Sequence, residues 1–246
     1  MRLLLTLGSL CFALSLSACS NNILGWVDSK DPAEQAAAYL DQGQADDAID
    51  VLESALQDEP SNWTYVSLLA SAKAQKAGVD TTSIAIRLAE RSASGGESSS
   101  GLLALFTALP EANLATLKLM SEAVDLMSSI PTGSLLNADT FKSSLFNVSY
   151  SALQIRFYDA DGNGTLSVDE LLQMDDKAAT GILSSLANAI LATAGASGET
   201  SAASAEAIAS IRAEIDSQPG ATDAEKLRNY LNSKGGAATA GIVSGM

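Results

Sequence analysis

The stretch from Asp159 to Glu170 reads Asp-Ala-Asp-Gly-Asn-Gly-Thr-Leu-Ser-Val-Asp-Glu. Oxygen-bearing side chains stand at its first, third, fifth, seventh, ninth and twelfth places, with glycine at the sixth. Neither a helix nor a buried strand runs through such a segment, because short polar side chains and glycine favour turns over both. The chain must therefore turn here, and regular structure on either side must stop. Ile155, Phe157 and Tyr158 precede the segment, and Leu171 and Met174 follow it. That spacing predicts apolar faces on one helix entering the loop and another leaving it. A hard divalent cation needs six to eight oxygen ligands in a flexible cage, which such a twelve-residue loop can supply.

At every diagnostic position the segment resembles the calcium loop of the EF-hand family. The resemblance implies side-chain oxygens from Asp159, Asp161 and Asn163, and the backbone carbonyl of Thr165. Ser167 would act directly or through a water, and Glu170 would close the shell with both oxygens. Gly164 would supply the positive-φ turn around the ion. The implied cofactor is calcium. Only Asp159, Asp161 and Glu170 are acidic ligands, which predicts weak affinity, on the order of 10⁻⁵ to 10⁻³ M. Such a site fills wherever calcium is abundant, which favours a structural clamp over a signalling switch. EF-hands work in pairs, and this chain holds no second loop. Leu166, at the position that normally meets a partner loop, must pack on the protein's own helices or join two molecules in a homodimer.

The N-terminus reads as an address. Arg2 is followed by an apolar stretch from Leu3 to Leu16 and then by small residues, the layout of a secretory signal peptide over residues 1–18. Leu16-Ser17-Ala18-Cys19 resembles the bacterial lipobox. That resemblance implies cleavage before Cys19 and lipid, including palmitate, on Cys19, so that the chain is tethered to a membrane. Several acyl chains on one residue make a stable anchor where one chain does not. Ser20 stands where an Asp would resemble an inner-membrane retention signal, so the expected location is the cell envelope, on an outer-membrane anchor facing the periplasm. Residues 19–30 form the expected tether, with Trp26 placed at the membrane interface or over the first helix pair.

Composition closes several doors. Apolar residues make up 47% of the 246, but aromatics only 5%, so the core must be built from Leu, Ile, Val and Ala. Ala and Leu are strong helix formers, and the expected fold is all-α. The net charge of -15 repels phosphate backbones and excludes nucleic acid as a partner. The chain has no histidine, which removes Ser-His-Asp triads, Cys-His dyads and nearly all zinc sites. Cys11 and Cys19 both lie in the leader region, so no disulfide staples the body. Acidic pairs such as Asp46/Asp47 and Asp175/Asp176 read as solvated helix faces. The sequence has no Gly-rich phosphate loop and no nucleophile elbow, and an enzyme is not expected.

Helix signals begin at Asp31-Pro32, a cap followed by a first-turn proline. Helices are expected over 33–42, 45–57, 61–78 and 80–93. Tyr39, Gly43, Ala48, Leu52, Ala55, Leu56 and Pro60 fall at the mutual offsets of the tetratricopeptide repeat, which residues 31–94 resemble as one good unit and one degenerate unit. Repeat arrays need three or more units, so the rest of the chain must help cover this core. The run SASGGESSSG over 92–101 reads as a linker or long loop. A second helical region over 102–217 carries the calcium loop. Its helices are expected from Pro110 to Ser129 (apolar face Leu114, Leu117, Met120, Val124, Met127), 137–158, 168–194 with Gly181 as a weak point, and 201–217. A short helix over 223–233 and a flexible tail complete residues 218–246. The expected architecture is TPR-like hairpins packed on a further helical bundle. The expected function is a protein- or peptide-binding scaffold in the envelope, with an accessory ligand-binding role in an envelope transport system as the alternative.

Overall fold

The computed structural model describes residues 31–93, 105, 108–193 and 199–235. The leader, Cys19, the tether with Trp26, the glycine-serine run at 94–101 and the tail beyond 235 lie outside these residues. Among the described residues the protein is all-helical, without a strand. The α-helices are α1 (Pro32–Asp41), α2 (Ala45–Asp58), α3 (Trp63–Lys76), α4 (Thr81–Ala93), α5 (Leu114–Ser129), α6 (Asn137–Arg156), α7 (Val168–Gln173), α8 (Asp176–Thr193), α9 (Glu199–Asp216) and α10 (Asp223–Gly235).

Local chemistry sets the boundaries. The Asp31 carboxylate caps α1 by accepting from Ala33 N at 2.9 Å, with Pro32 in the first turn. Gly43 turns the chain into α2 at φ 75°. Ala48 and Leu52 are fully buried beneath α1, joined by Ala36, Ile49, Tyr65, Leu69 and Ala72 in a small cluster shared by α1, α2 and α3, with Tyr39 packed on its edge. The two helices of the expected second unit do not pair in this way. One face of α3 belongs to that cluster, and its Val66, Ala70 and Ala74 enter the main core beside α5. A Lys73–Glu122 ion pair at 2.9 Å joins α3 to α5. α4 instead lays Ile84 and Leu88 against the main core, packing on α9 and α6.

Three further expectations need correction. The helix after Pro110 begins only at Leu114, because the Asn113 side chain accepts from Ala115 N at 2.9 Å and Thr116 N at 3.0 Å and so fixes the cap there. Leu114, placed on the apolar face of that helix, is 74% exposed, while Met120, Val124 and Met127 are buried. The expected single helix over 168–194 is two. The break falls at Met174-Asp175, and Gly181 sits inside α8. Asp175 caps the second piece, its carboxylate accepting from Ala178 N at 2.7 Å.

α6 is the central element, packed against α8, α5 and α4. Its buried serines let neighbours approach closely. Ser151 Oγ donates within α6 to Asn147 O at 2.9 Å and lies 3.2 Å from Ile182 O of α8. Phe146, Leu153 and Ile155 of α6 join Met120 and Met127 of α5, Ile182 and Leu186 of α8, Ile208 and Ile211 of α9, and Leu227 and Tyr230 of α10. Val66, Ala70, Ile84 and Leu88 from α3 and α4 belong to the same cluster, so packing is continuous between the first four helices and the rest.

Candidate metal centre

Residues 157–167 connect α6 to α7, and both flanks are anchored in the core. The last turn of α6 buries Ile155. Phe157 N and Tyr158 N donate to Leu153 O and Ile155 O, at 2.9 and 3.0 Å. Arg156 Nη1 donates to Leu109 O at 2.7 Å, tying the helix end to the segment before α5. On the leaving side, Leu171 and Met174 are buried. Leu166, only 3% exposed, packs into the protein's own main core, the first of the two routes open to it.

The loop folds inward on its own acids. Gly162 and Gly164 adopt φ 68° and 79°, in the left-handed region that side-chain-bearing residues avoid. Asp159 accepts from Asn163 N at 3.1 Å and from Gly164 N at 2.9 Å. Asp161 accepts from Asn163 N at 3.1 Å and from Asn163 Nδ2 at 2.7 Å. Asn163 Oδ1 in turn receives Thr165 N at 2.7 Å and Thr165 Oγ1 at 2.5 Å. Ser167 is the N-cap of α7 and exchanges hydrogen bonds with Glu170: Glu170 Oε2 accepts from Ser167 N and Oγ, both at 2.8 Å. Glu170 Oε1 reaches across the loop to accept from Ala160 N at 2.8 Å. Glu170 is 7% exposed, an acid folded into the structure.

Asp159, Asp161 and Glu170 thus bring a carboxylate oxygen each within 4.8 Å of one another. Asn163 joins through Asp161 and Ser167 through Glu170, while Thr165 is held by Asn163. The electrostatics are uneven. Burial first, and then the neighbouring Asp161, pushes the Asp159 carboxyl above its usual range. Hydrogen bonds from Ser167, foremost its backbone amide, hold Glu170 below its usual range. Oxygen donors alone, with a crowded carboxylate pair that a positive charge would relieve, suit a hard divalent cation rather than a soft one.

A second polar constellation escaped the sequence reading. Ser67 of α3 lies between Asp139 and Lys142 of α6, which are 72 and 75 residues away. The three line an open cavity of about 860 Å³ with Trp63, Leu68 and Leu136. No short motif could have found them, because the contact is made by two helices meeting.

Cys19 lies outside the described residues, and no described helix is long and apolar enough to cross a membrane. Comparison with protein-family models, characterised proteins and solved structures returns no match.

Proposed function

We propose that this protein is a membrane-tethered, calcium-binding helical lipoprotein that serves as a protein-binding or scaffold module of the cell envelope, anchored through lipid on Cys19. The observation that carries the calcium reading is the inward convergence of Asp159, Asp161 and Glu170 in a loop whose two flanks are both core elements. In this reading the ion is a clamp. It neutralises three acids at once and fixes the angle between α6 and α7, both of which bury apolar side chains beside the loop. The scaffold role draws on the α1–α2 hairpin with its repeat-like packing, and on the absence of a catalytic signature in the sequence. The cavity beside Trp63 lends support to the alternative, an accessory ligand-binding component of envelope transport.

The decisive experiment is calcium titration with calorimetry on the full chain in detergent. A ligand that binds only the native state adds about 2.7 kcal/mol at a hundred times its dissociation constant. The melting temperature should rise with millimolar calcium in the wild type and stay fixed in Asp159→Ala and Glu170→Ala. Identical melting of all three with and without calcium would remove the clamp. Cys19→Ala should move the protein from the membrane to the soluble fraction, and persistence in the membrane would remove the tether.

A further inference from the structure

The geometry points to a second, chemically distinct site: Ser67 and Lys142 form a nucleophile–base pair on the floor of the 860 Å³ cavity, suited to hydrolysis of a carboxylic ester, with Asp139 as a positioning residue. This goes beyond the calcium and scaffold reading and does not depend on it.

The placement is specific. Lys142 Nζ lies 2.7 Å from Ser67 Oγ and 3.4 Å from Ser67 O. Ser67 Oγ lies 2.5 Å from Asp139 Oδ1, and the same carboxylate oxygen is 3.8 Å from Lys142 Nζ. A nucleophile within hydrogen-bond reach of a base, with the base held by a third group, is the recurring signature of an activated hydroxyl. Because the chain lacks histidine, the base of any such pair must be another residue. Asp139 is itself fixed, its second oxygen accepting from Leu136 N at 3.2 Å. Ser67 is only 5% exposed, yet it lines a cavity open to solvent.

A structural staple between α3 and α6 needs no free base, so the protonation of Lys142 is what separates the two roles. Burial pushes the amine below its ordinary value, against the opposing pull of Asp139. At rest Ser67 Oγ donates to Asp139 Oδ1 and Lys142 Nζ donates to Ser67 Oγ; once rising pH removes a proton from Nζ, the amine becomes an acceptor to which the Ser67 hydroxyl hydrogen can turn. The cavity supplies the rest of a substrate site. Trp63, Leu68 and Leu136 form an apolar wall for an acyl chain. Thr64, on the same cavity, carries a hydroxyl donor for a developing oxyanion.

The chemistry balances without a cofactor. Ser67 Oγ bonds to the ester carbon as its proton passes to Lys142 Nζ. The bond to the leaving alkoxide breaks, and Nζ returns that proton to it. Water then attacks the acyl-serine, gives a proton to Nζ, and the ester bond to Oγ breaks as Oγ takes that proton back. The sum is ester plus water to acid plus alcohol.

The test treats the full chain in detergent with an alkyl fluorophosphonate, which loses fluoride to an activated serine, and locates the adduct by peptide mass spectrometry. Ser67 should carry a single adduct, with a rate that rises with pH to a plateau and a midpoint below that of an ordinary lysine. Lys142→Arg keeps the positive charge and a donor to Ser67 but cannot act as a base, so the rate should fall by about 100-fold or more. Asp139→Asn should move the midpoint to still lower pH, a change that a merely structural carboxylate would not produce. Three results would each overturn the assignment: an unlabelled Ser67 in the folded wild type, equal labelling of Ser67→Ala, or a Lys142→Arg rate equal to the wild type at matched melting temperature. Failure here leaves the calcium titration untouched, because the two readouts share no residue.

Discussion

Glu170 joins the two ends of its loop, accepting from Ala160 N on one side and from Ser167 N and Oγ on the other. These donors stabilise the carboxylate form, so its folded pKa lies below the unfolded one. A depressed carboxyl adds stability above its unfolded value and loses it as pH falls through the folded value. In EDTA, the gap between wild type and Glu170→Gln should therefore be full at neutral pH and shrink from about pH 5 downward, as read by denaturant melts. Asp159 is shifted the other way, but it is present in both proteins and cancels. A gap unchanged down to pH 3 would show that the carboxylate bonds contribute nothing. Gly164 offers a cleaner steric test. Nothing lies within 4 Å of an added Cβ, so Gly164→Ala isolates the backbone cost of φ 79°. The expected loss is about 1–2 kcal/mol in metal-free melts, and an unaffected variant would mean the turn is not held in that conformation.

At the level of elements, α7 is the piece most dependent on its neighbours. Six residues are too few to be stable alone, and its N-terminus rests on the Ser167–Glu170 exchange. Its C-terminus rests on α10, where Arg228 Nε and Nη2 donate to Met174 O at 3.1 and 2.8 Å. Nη2 also meets Asp176 Oδ1 at 2.6 Å, so a single guanidinium spans the joint between α7 and α8. Arg228→Met should cost about 1–3 kcal/mol by leaving that carbonyl without its donor, and should speed amide exchange in 168–176 more than elsewhere. Uniform exchange would place the effect in the global equilibrium instead. Leu166→Ala should cost about 2–5 kcal/mol, as for other core leucines. A loss near zero would mean that the loop, and with it the candidate metal site, floats free of the core.

For the molecule as a whole, the decisive fact is that α3 and α4 contribute to the same core as α5 to α10. The repeat-like first pair is therefore the flank of a larger bundle. Residues 31–93 made alone should lack tertiary melting, because Val66, Ala70, Ile84 and Leu88 would lose the partners that cover them. A cooperative thermal transition from that fragment would contradict this. The full chain should instead melt in one step, and the proposed calcium clamp predicts that calcium moves that step and not a separate one.

The α-helical class was legible in the residues, because helix propensity and capping act locally and Asp31, Gly43 and Pro60 act where they stand. The oxygen spacing of 159–170 was legible for the same reason: a loop draws its donors from its own backbone. Which faces meet was not. Asn113 outweighed Pro110 as a helix start, and Asp175 rather than Gly181 broke the segment over 168–194, because capping bonds form only where the neighbouring chain leaves them room. The departure of α4 from α3, the burial of Leu166, and the meeting of Ser67 with Asp139 and Lys142 all depend on long-range packing. No window of sequence contains both partners of such a contact, so the folded chain alone could decide them.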